Sequence, residues 1–363
     1  MKTKKIISSI LLSAIALPFF SSCNPDEVIE EIPEISTGVV VLNEGQMGNN
    51  NSSLTYYDFT TGFSSNEVFN NKNNRNLGDV GQDMIKYGSK IYLAVSNSSI
   101  IEIIDAKTFV SKKTISMKNA SNVPSTPRSL TSANGKVYIT LFDGHVAQLD
   151  TTSLIIEKTI AVGSNPEGSV IVNNKLYVAN SGGLSLVNDS TISVIDLASF
   201  TETEKIKVVI NPTIIKADSY GDIYVISVGN YYNIPYTLQR INTITKVVTK
   251  ITDVKAYKMT IDGDNAYIYN YDYDASYKVI NKTYTIYDVK NEKLLKSNFI
   301  ASDAVQNTPY SIDVNPITKD IYIGETLDYK TTGKMYCFSS NGTLKYTFPT
   351  GVNPSKTVFI SNK

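Results

Sequence analysis

The sequence predicts an all-β chain folded as a seven-bladed β-propeller, its first blade closed by the C-terminal strand. Three observations carry this reading. A short apolar motif recurs as KIYLAV (90–95), KVYITL (136–141), KLYVAN (175–180), DIYVIS (222–227), NAYIYN (265–270) and DIYIGE (320–325). A second, alternating run ends at Asp58, Asp105, Asp150, Asp196, Asn242 and Asp288, with a seventh near Ser339, at successive spacings of 47, 45, 46, 46, 46 and 51. The ends are also complementary. The N-terminal part offers three strands, 39–44, 53–58 and 66–69, and the C-terminal part has one left over, 355–360. Four short strands per repeat of roughly 40–45 residues mark a propeller blade. Three strands plus one complete a seventh blade and remove the free edges that an open solenoid would keep.

The fourth unit shows the logic of each blade. Its strands are 167–172, 175–180, 191–196 and 204–209, and the first two meet at the tight turn Asn173-Asn174. Val, Ile and Tyr alternate with polar residues, as half-buried strands require. The propeller is expected to occupy residues 38–363 as one domain.

Composition narrows the function. Apolar residues at 42% and charged residues at 19% suit a large core and exclude a disordered chain. Lys plus Arg equals Asp plus Glu at 34 each, so the basic excess of a nucleic-acid binder is missing. One His, two Cys and no Trp leave little for His-rich metal sites, zinc fingers or a disulfide scaffold. Tyr, at 24 copies, is the outlier.

The first 22 residues are an address. Lys2, Lys4 and Lys5 precede an apolar run over 6–20, followed by Ser21-Ser22-Cys23. A basic start, an apolar stretch and small residues form a secretory signal, and the stretch is too short and interrupted for a good spanning helix. Cys after two serines resembles a bacterial lipobox, in which Cys23 is lipidated; the alternative is an ordinary signal peptide with a chance Cys. Removing 1–22 deletes three lysines and no acid, leaving a net charge of −3. NPDEVIEEIPE then reads as a flexible tether over 23–37, and its acids resemble the surface-export signal of Bacteroidetes lipoproteins. These resemblances imply an outer-membrane, lipid-anchored protein facing the cell exterior.

The loops choose a face. Turns after first and third strands are short, as at Asn134-Gly135 and Gly221-Asp222. Loops after second and fourth strands are long: 43–52, 181–190, 228–236, 271–283 and 326–333, with 70–82, 119–128 and 301–310. Long loops on one side of a rigid scaffold are the usual home of binding. They carry Tyr231, Tyr232, Tyr236, Tyr271, Tyr273, Tyr277, Tyr310 and Tyr329 with many Asn. Tyr offers a flat apolar surface plus a hydroxyl, and Asn offers donor and acceptor. Such a surface suits a large, nearly neutral, amide-fringed ligand, or a glycan. Arg75, Arg128 and Glu167 are expected near the inner rim, Arg128 and Glu167 either as a structural pair or in contact with the ligand. By contrast Tyr92, Tyr138, Tyr177, Tyr224, Tyr267 and Tyr322, one per strand motif, are expected to pack between blades.

Catalysis finds little support in the sequence. His145 has no recognisable nucleophile beside it, Asp262-Gly263-Asp264-Asn265 lacks the final Glu of a calcium loop, and Cys337 reads as a buried free thiol. The expectation is a non-catalytic chain without cofactor or metal; the rival in the enzyme class is a propeller lyase or hydrolase.

NPEGSVIVNNKLYVAN (165–180) with TISVIDLAS (191–199) resembles the YVTN-type repeat of YncE-like propellers over nearly the whole mature chain. VVVLNEGQMGNNNSSLTYYD (39–58), NRNLGDVGQDM (74–84), TPRSL (126–130) and NPEG (165–168) resemble the cobalamin-binding surface propeller lipoproteins of Bacteroidetes, over the first four blades. That resemblance implies capture of cobalamin and its delivery to an outer-membrane transporter. It adds Asn43, Glu44, Asp79 and Gln82 to the ligand-binding candidates. A glycan- or peptide-binding adhesin is the alternative in the binding class.

Overall fold

A computed structural model describes residues 33–119, 121–183 and 187–363. The leader 1–22, Cys23 and the tether up to residue 32 lie outside the described residues. Seven four-stranded antiparallel sheets form the blades. Six are sequential meanders, and the first is ordered Pro354–Ser361, Ser36–Asn43, Ser53–Asp58, Ser64–Ser65. The C-terminal strand therefore sits innermost in blade 1, paired along Ser36–Asn43 from Ser36↔Ser361 to Asn43↔Pro354. The innermost strands of blades 2 to 7 are Gly81–Tyr87, Pro127–Ala133, Pro166–Val172, Pro212–Ala217, Lys258–Asp262 and Thr308–Val314. Several begin with Pro, which is tolerated at the first residue of a strand because no ladder donor is lost there. Asn165, Asn211 and Asn353 precede such prolines with φ of 47, 59 and 57°, a left-handed conformation that Asn adopts more readily than most residues.

The second strand of each blade explains the apolar motif. Its side chains alternate between the two neighbouring blades. In KIYLAV, Ile91 and Leu93 join a cluster with Val40, Leu42 and Leu54 of blade 1. Tyr92 and Ala94 point the other way, to Leu130, Val137 and Ile139 of blade 3. The same division repeats round the ring, so an apolar cluster fills each seam between blades. The six motif tyrosines are buried in these seams as expected. The final seam places Tyr322 and Cys337 of blade 7 against Val39 and Val41 of blade 1.

The Asp or Asn that ends the third strand folds the turn after it. Asp58 accepts the backbone N–H of Thr60 and Thr61, Asp105 those of Lys107 and Thr108, Asp150 those of Thr152 and Ser153, and Asn242 those of Ile244 and Thr245. This is the Asx turn, a side chain standing in for a backbone acceptor. Lys112 first, then these N–H donors, hold Asp105 down at about 2. Backbone N–H bonds lower Asp58, and the Asn291 side chain and backbone lower Asp288.

Two expectations about elements change. The outer strand of blade 1 is Ser64–Ser65 rather than 66–69, and a short helix, Val68–Asn73, follows. Consecutive Val68 and Phe69 both enter the seam with blade 2, which a strand would forbid by sending neighbours to opposite faces. The expected loop 271–283 is largely a hairpin, because the blade 6 strands extend to Asn265–Tyr273 and Val279–Asp288.

Removing a seam tyrosine should be costly. Tyr177→Ala is expected to lose about 3–5 kcal/mol, the range for a large aromatic core truncation, while exposed Tyr232→Ala stays within about 0.5 kcal/mol; urea midpoints measure both. Because carboxylates such as Asp105 titrate lower when folded, their stabilisation is complete above the unfolded value of 3.8 and is lost as pH falls through about 2. Midpoints should therefore be flat in mild acid and fall below that value, and the fall should shrink in Asp105→Asn.

Candidate functional site

Strand alternation builds a tyrosine ladder. In the extended second strand of blade 6, Tyr267, Tyr269, Tyr271 and Tyr273 recur every two residues and so share one face. The first three are buried at the seam with blade 7, and Tyr273 emerges on the long-loop face. The pairing continues past a bulge after Asn270 to Tyr273↔Val279, which lifts the hairpin above its neighbours.

Other tyrosines extend this ladder sideways. Tyr231 meets Tyr236 edge-on at 6.4 Å between ring centroids, Tyr236 stacks on Tyr257 at 5.4 Å, and Tyr257 meets Tyr271 at 4.4 Å. Tyr273 contacts Tyr271 at 5.4 Å, its hydroxyl lies 3.4 Å from that of Tyr329, and Tyr329 meets Tyr310 at 6.0 Å. The series joins blades 5, 6 and 7. Tyr231, Tyr236, Tyr273 and Tyr329 keep between 37% and 77% of their surface exposed.

Local chemistry holds each loop. Asn230 accepts the N–H of Tyr232, Asn233 and Ile234; Asp274 those of Ser276 and Lys278; Asp328 those of Lys330 and Thr331. Tyr231 and Tyr329 sit at φ of 59 and 62°, unfavourable for a bulky side chain. Burial, the largest cause at each, pushes the phenols of Tyr236, Tyr257, Tyr310 and Tyr329 above the ordinary range, and Glu44 adds to this at Tyr310. These hydroxyls therefore stay protonated near neutrality.

A central cavity of about 560 Å³ opens beside the ladder, with Tyr236 and Tyr257 on its wall. Across it stands Arg128, bonded through Nε and Nη2 to both Glu167 oxygens at 2.9 and 3.0 Å and through Nη1 to Gln82 Oε1 at 2.7 Å. Phe142 lies 5.0 Å beneath the guanidinium. A two-point pair fixes orientation as well as charge, so Arg128 and Glu167 form the structural pair and still line the cavity.

The remaining candidates divide. Tyr310 donates to Glu44, tying blade 7 to blade 1 at the rim. Asp79 accepts from the Gly48 backbone at 2.9 Å and from Asn97, organising two neighbouring loops. Tyr232 stands clear at 92% exposed. Three expectations are corrected. Asn43 is fully buried, its amide donating to Ser53 and Thr55. Arg75 is away from the inner rim: buried Glu102 draws it to 2.8 Å, with Ser111 and Thr114 beside it on the outer strand of blade 2. Tyr271 supports the ladder from below, buried by the strand extension.

Tyr257 and the channel residues Asp83, Lys216, Lys258, Asp313 and Lys356 were not among the sequence candidates. The signal lies in the start of each inner strand. Gly81-Gln82, Pro127-Arg128, Pro166-Glu167, Pro212-Thr213, Ala256-Tyr257, Pro309-Tyr310 and Pro354-Ser355 occupy one repeat position, and only blades 6 and 7 place an aromatic residue where the others carry a polar side chain. His145 contacts Asp143 at 3.1 Å, and Asp143 accepts from Ser125 at 2.5 Å. The carboxylate thus stands between hydroxyl and imidazole.

A family profile described as a domain of unknown function, DUF5074, matches residues 37–360. No curated protein matches the chain. Among solved structures, hydrazine synthase of Kuenenia stuttgartiensis is 17% identical with a TM-score of 0.60, covering 74% of this chain and 85% of its own. A quinonprotein alcohol dehydrogenase-like protein from Bacteroides thetaiotaomicron is 17% identical with a TM-score of 0.60, covering 90% and 79%. The dihydro-heme d1 dehydrogenase NirN, in complex with DHE, is 12% identical with a TM-score of 0.55, covering 88% and 68%. At these identities the likeness shows the propeller fold alone. It nevertheless overturns the expectation of a non-enzyme: a synthase and a dehydrogenase share this architecture, so the fold is no argument against chemistry.

The Arg128 cluster makes its own prediction. Glu167→Gln leaves a half-buried guanidinium without its carboxylate and should cost about 1.5–3 kcal/mol. Joint replacement of Arg128 and Glu167 by Met should cost less than either single change; denaturation midpoints distinguish the outcomes.

Proposed function

The chain belongs to the DUF5074 family, and from that premise we propose that its long-loop face captures cobalamin at the cell surface for an outer-membrane transporter. The observation that carries this reading is the continuous tyrosine series across blades 5 to 7 at the mouth of the central cavity. A corrin ring is broad, flat and fringed with amides. Exposed phenol rings offer it stacking surface, and neutral hydroxyls can donate to or accept from amides. The Asx-built loops hold the rings in place before binding, which reduces the ordering entropy that binding must overcome. Gln82, with the Arg128–Glu167 pair, supplies polar contacts on the opposite wall. Glu44, Tyr310 and Asp79 shape the rim. Lipidation at Cys23 and the acidic tether belong to the same proposal, as the device that keeps the binding face beside its transporter.

Calorimetric titration of residues 24–363 with cyanocobalamin tests the ligand, with tight one-to-one binding expected. Replacing Tyr231, Tyr236, Tyr273 and Tyr329 together by Ala should weaken it by at least about a hundredfold, at roughly 1 kcal/mol or somewhat less for each ring. Absence of heat would remove the cobalamin reading, and binding on a glycan array would replace it.

A further inference from the structure

The channel below the tyrosine series carries three lysines, Lys216, Lys258 and Lys356, that the loop-face reading does not use. Four cations and three carboxylates line it. Arg128 is paired with Glu167, and Lys356 Nζ lies 3.0 Å from Asp313 Oδ1. Asp83 accepts the backbone N–H of Leu130 at 2.8 Å and of Met84 at 2.9 Å. Lys258 Nζ donates to the Tyr310 carbonyl at 2.6 Å and lies 4.8 Å above the Tyr310 ring. The Lys216 side-chain amine has no hydrogen-bond or ion-pair partner among the described residues. It sits four residues after Pro212, as Asp313 does after Pro309, and its half-buried side chain lines the cavity. An amine held off bulk water without a partner is a cost unless something compensates it.

We propose that the central channel is a binding site for a small oxyanion, a carboxylate or phosphate group, seated on Lys216 and flanked by Lys258 and Lys356. The cavity of about 560 Å³ accommodates such an anion, and the site does not depend on what the loop face binds. The electrostatics agree. The positive charge of Lys356, then burial, pushes the Lys216 amine down to about 8, with Asp313 and Asp83 pulling the other way and Lys258 adding to the depression. Burial lowers Lys258 against the attraction of Glu44 and Asp313. At Lys356 burial is outweighed by Asp313 and Asp83, and that amine is raised. A bound anion would supply the missing counter-charge. Lys216 is protonated below about 8, so anion binding should be strongest there and fall as pH rises through that value.

The test uses sodium phosphate and succinate as separate probes, titrated into the protein at constant ionic strength without cyanocobalamin. The expected result is a saturable rise in melting temperature with at least one probe, and the responding probe identifies the anion class. In Lys216→Met the affinity should fall at least about tenfold, the equivalent of one modest charge contact. That variant, unliganded near neutrality, should melt no lower than the wild type, because an uncompensated cation has been removed. Lys216→Arg should retain binding and lose its decline above about pH 8, since guanidinium does not titrate there. No saturable response to either probe, or an unchanged response in Lys216→Met, would overturn the proposal.

Discussion

The two-sided burial of each blade's second strand is the constraint on which the molecule depends. Ile91 and Tyr92 are neighbours in sequence yet belong to different seams. A single blade would leave both faces bare, so stability resides in contacts between neighbours, as in repeat proteins generally. A ring also needs its last seam filled and its last blade completed. Pro354–Ser361 completes the sheet, and Tyr322, Met335 and Cys337 close the seam against Val39 and Val41.

That frame leaves one face free to vary. Short turns on one side are consumed by Asx geometry, as at Asp105 and Asp150. Loops on the other side rest on a rigid rim, and a strand can overrun it, as Asn265–Tyr273 does. The polar half of the site arises differently, from the second residue of each inner strand, where Gln82, Arg128 and Glu167 converge from three consecutive blades.

The blade count, the closing strand and the seam tyrosines were legible in the sequence because period-2 burial and a fixed repeat leave strong marks. The short helix Val68–Asn73 left none: six residues inserted between blades carry no periodicity to read. Tyr271 was misplaced for a more instructive reason. The alternating tyrosines from Tyr267 to Tyr273 are a strand signal, and a loop beginning at residue 271 cuts across that alternation. Arg75 was misplaced because its partner, Glu102, lies in a different strand, and a buried carboxylate's demand for a cation cannot be read from spacing. The channel lysines were invisible singly; they converge only when the ring brings distant repeats together.

The closing strand has a mechanical consequence. Ile35 and Asn362 clasp each other through two hydrogen bonds, Ile35 N–H to Asn362 Oδ1 at 2.9 Å and Asn362 N–H to the Ile35 carbonyl at 3.1 Å. Strand Ser36–Asn43 lies between two antiparallel partners. A force applied through the N-terminus would therefore act along that strand once the clasp has opened. It would load both ladders together in shear, so that their hydrogen bonds share the load and do not peel one at a time. The sheet that completes the ring is thus also arranged to resist being pulled.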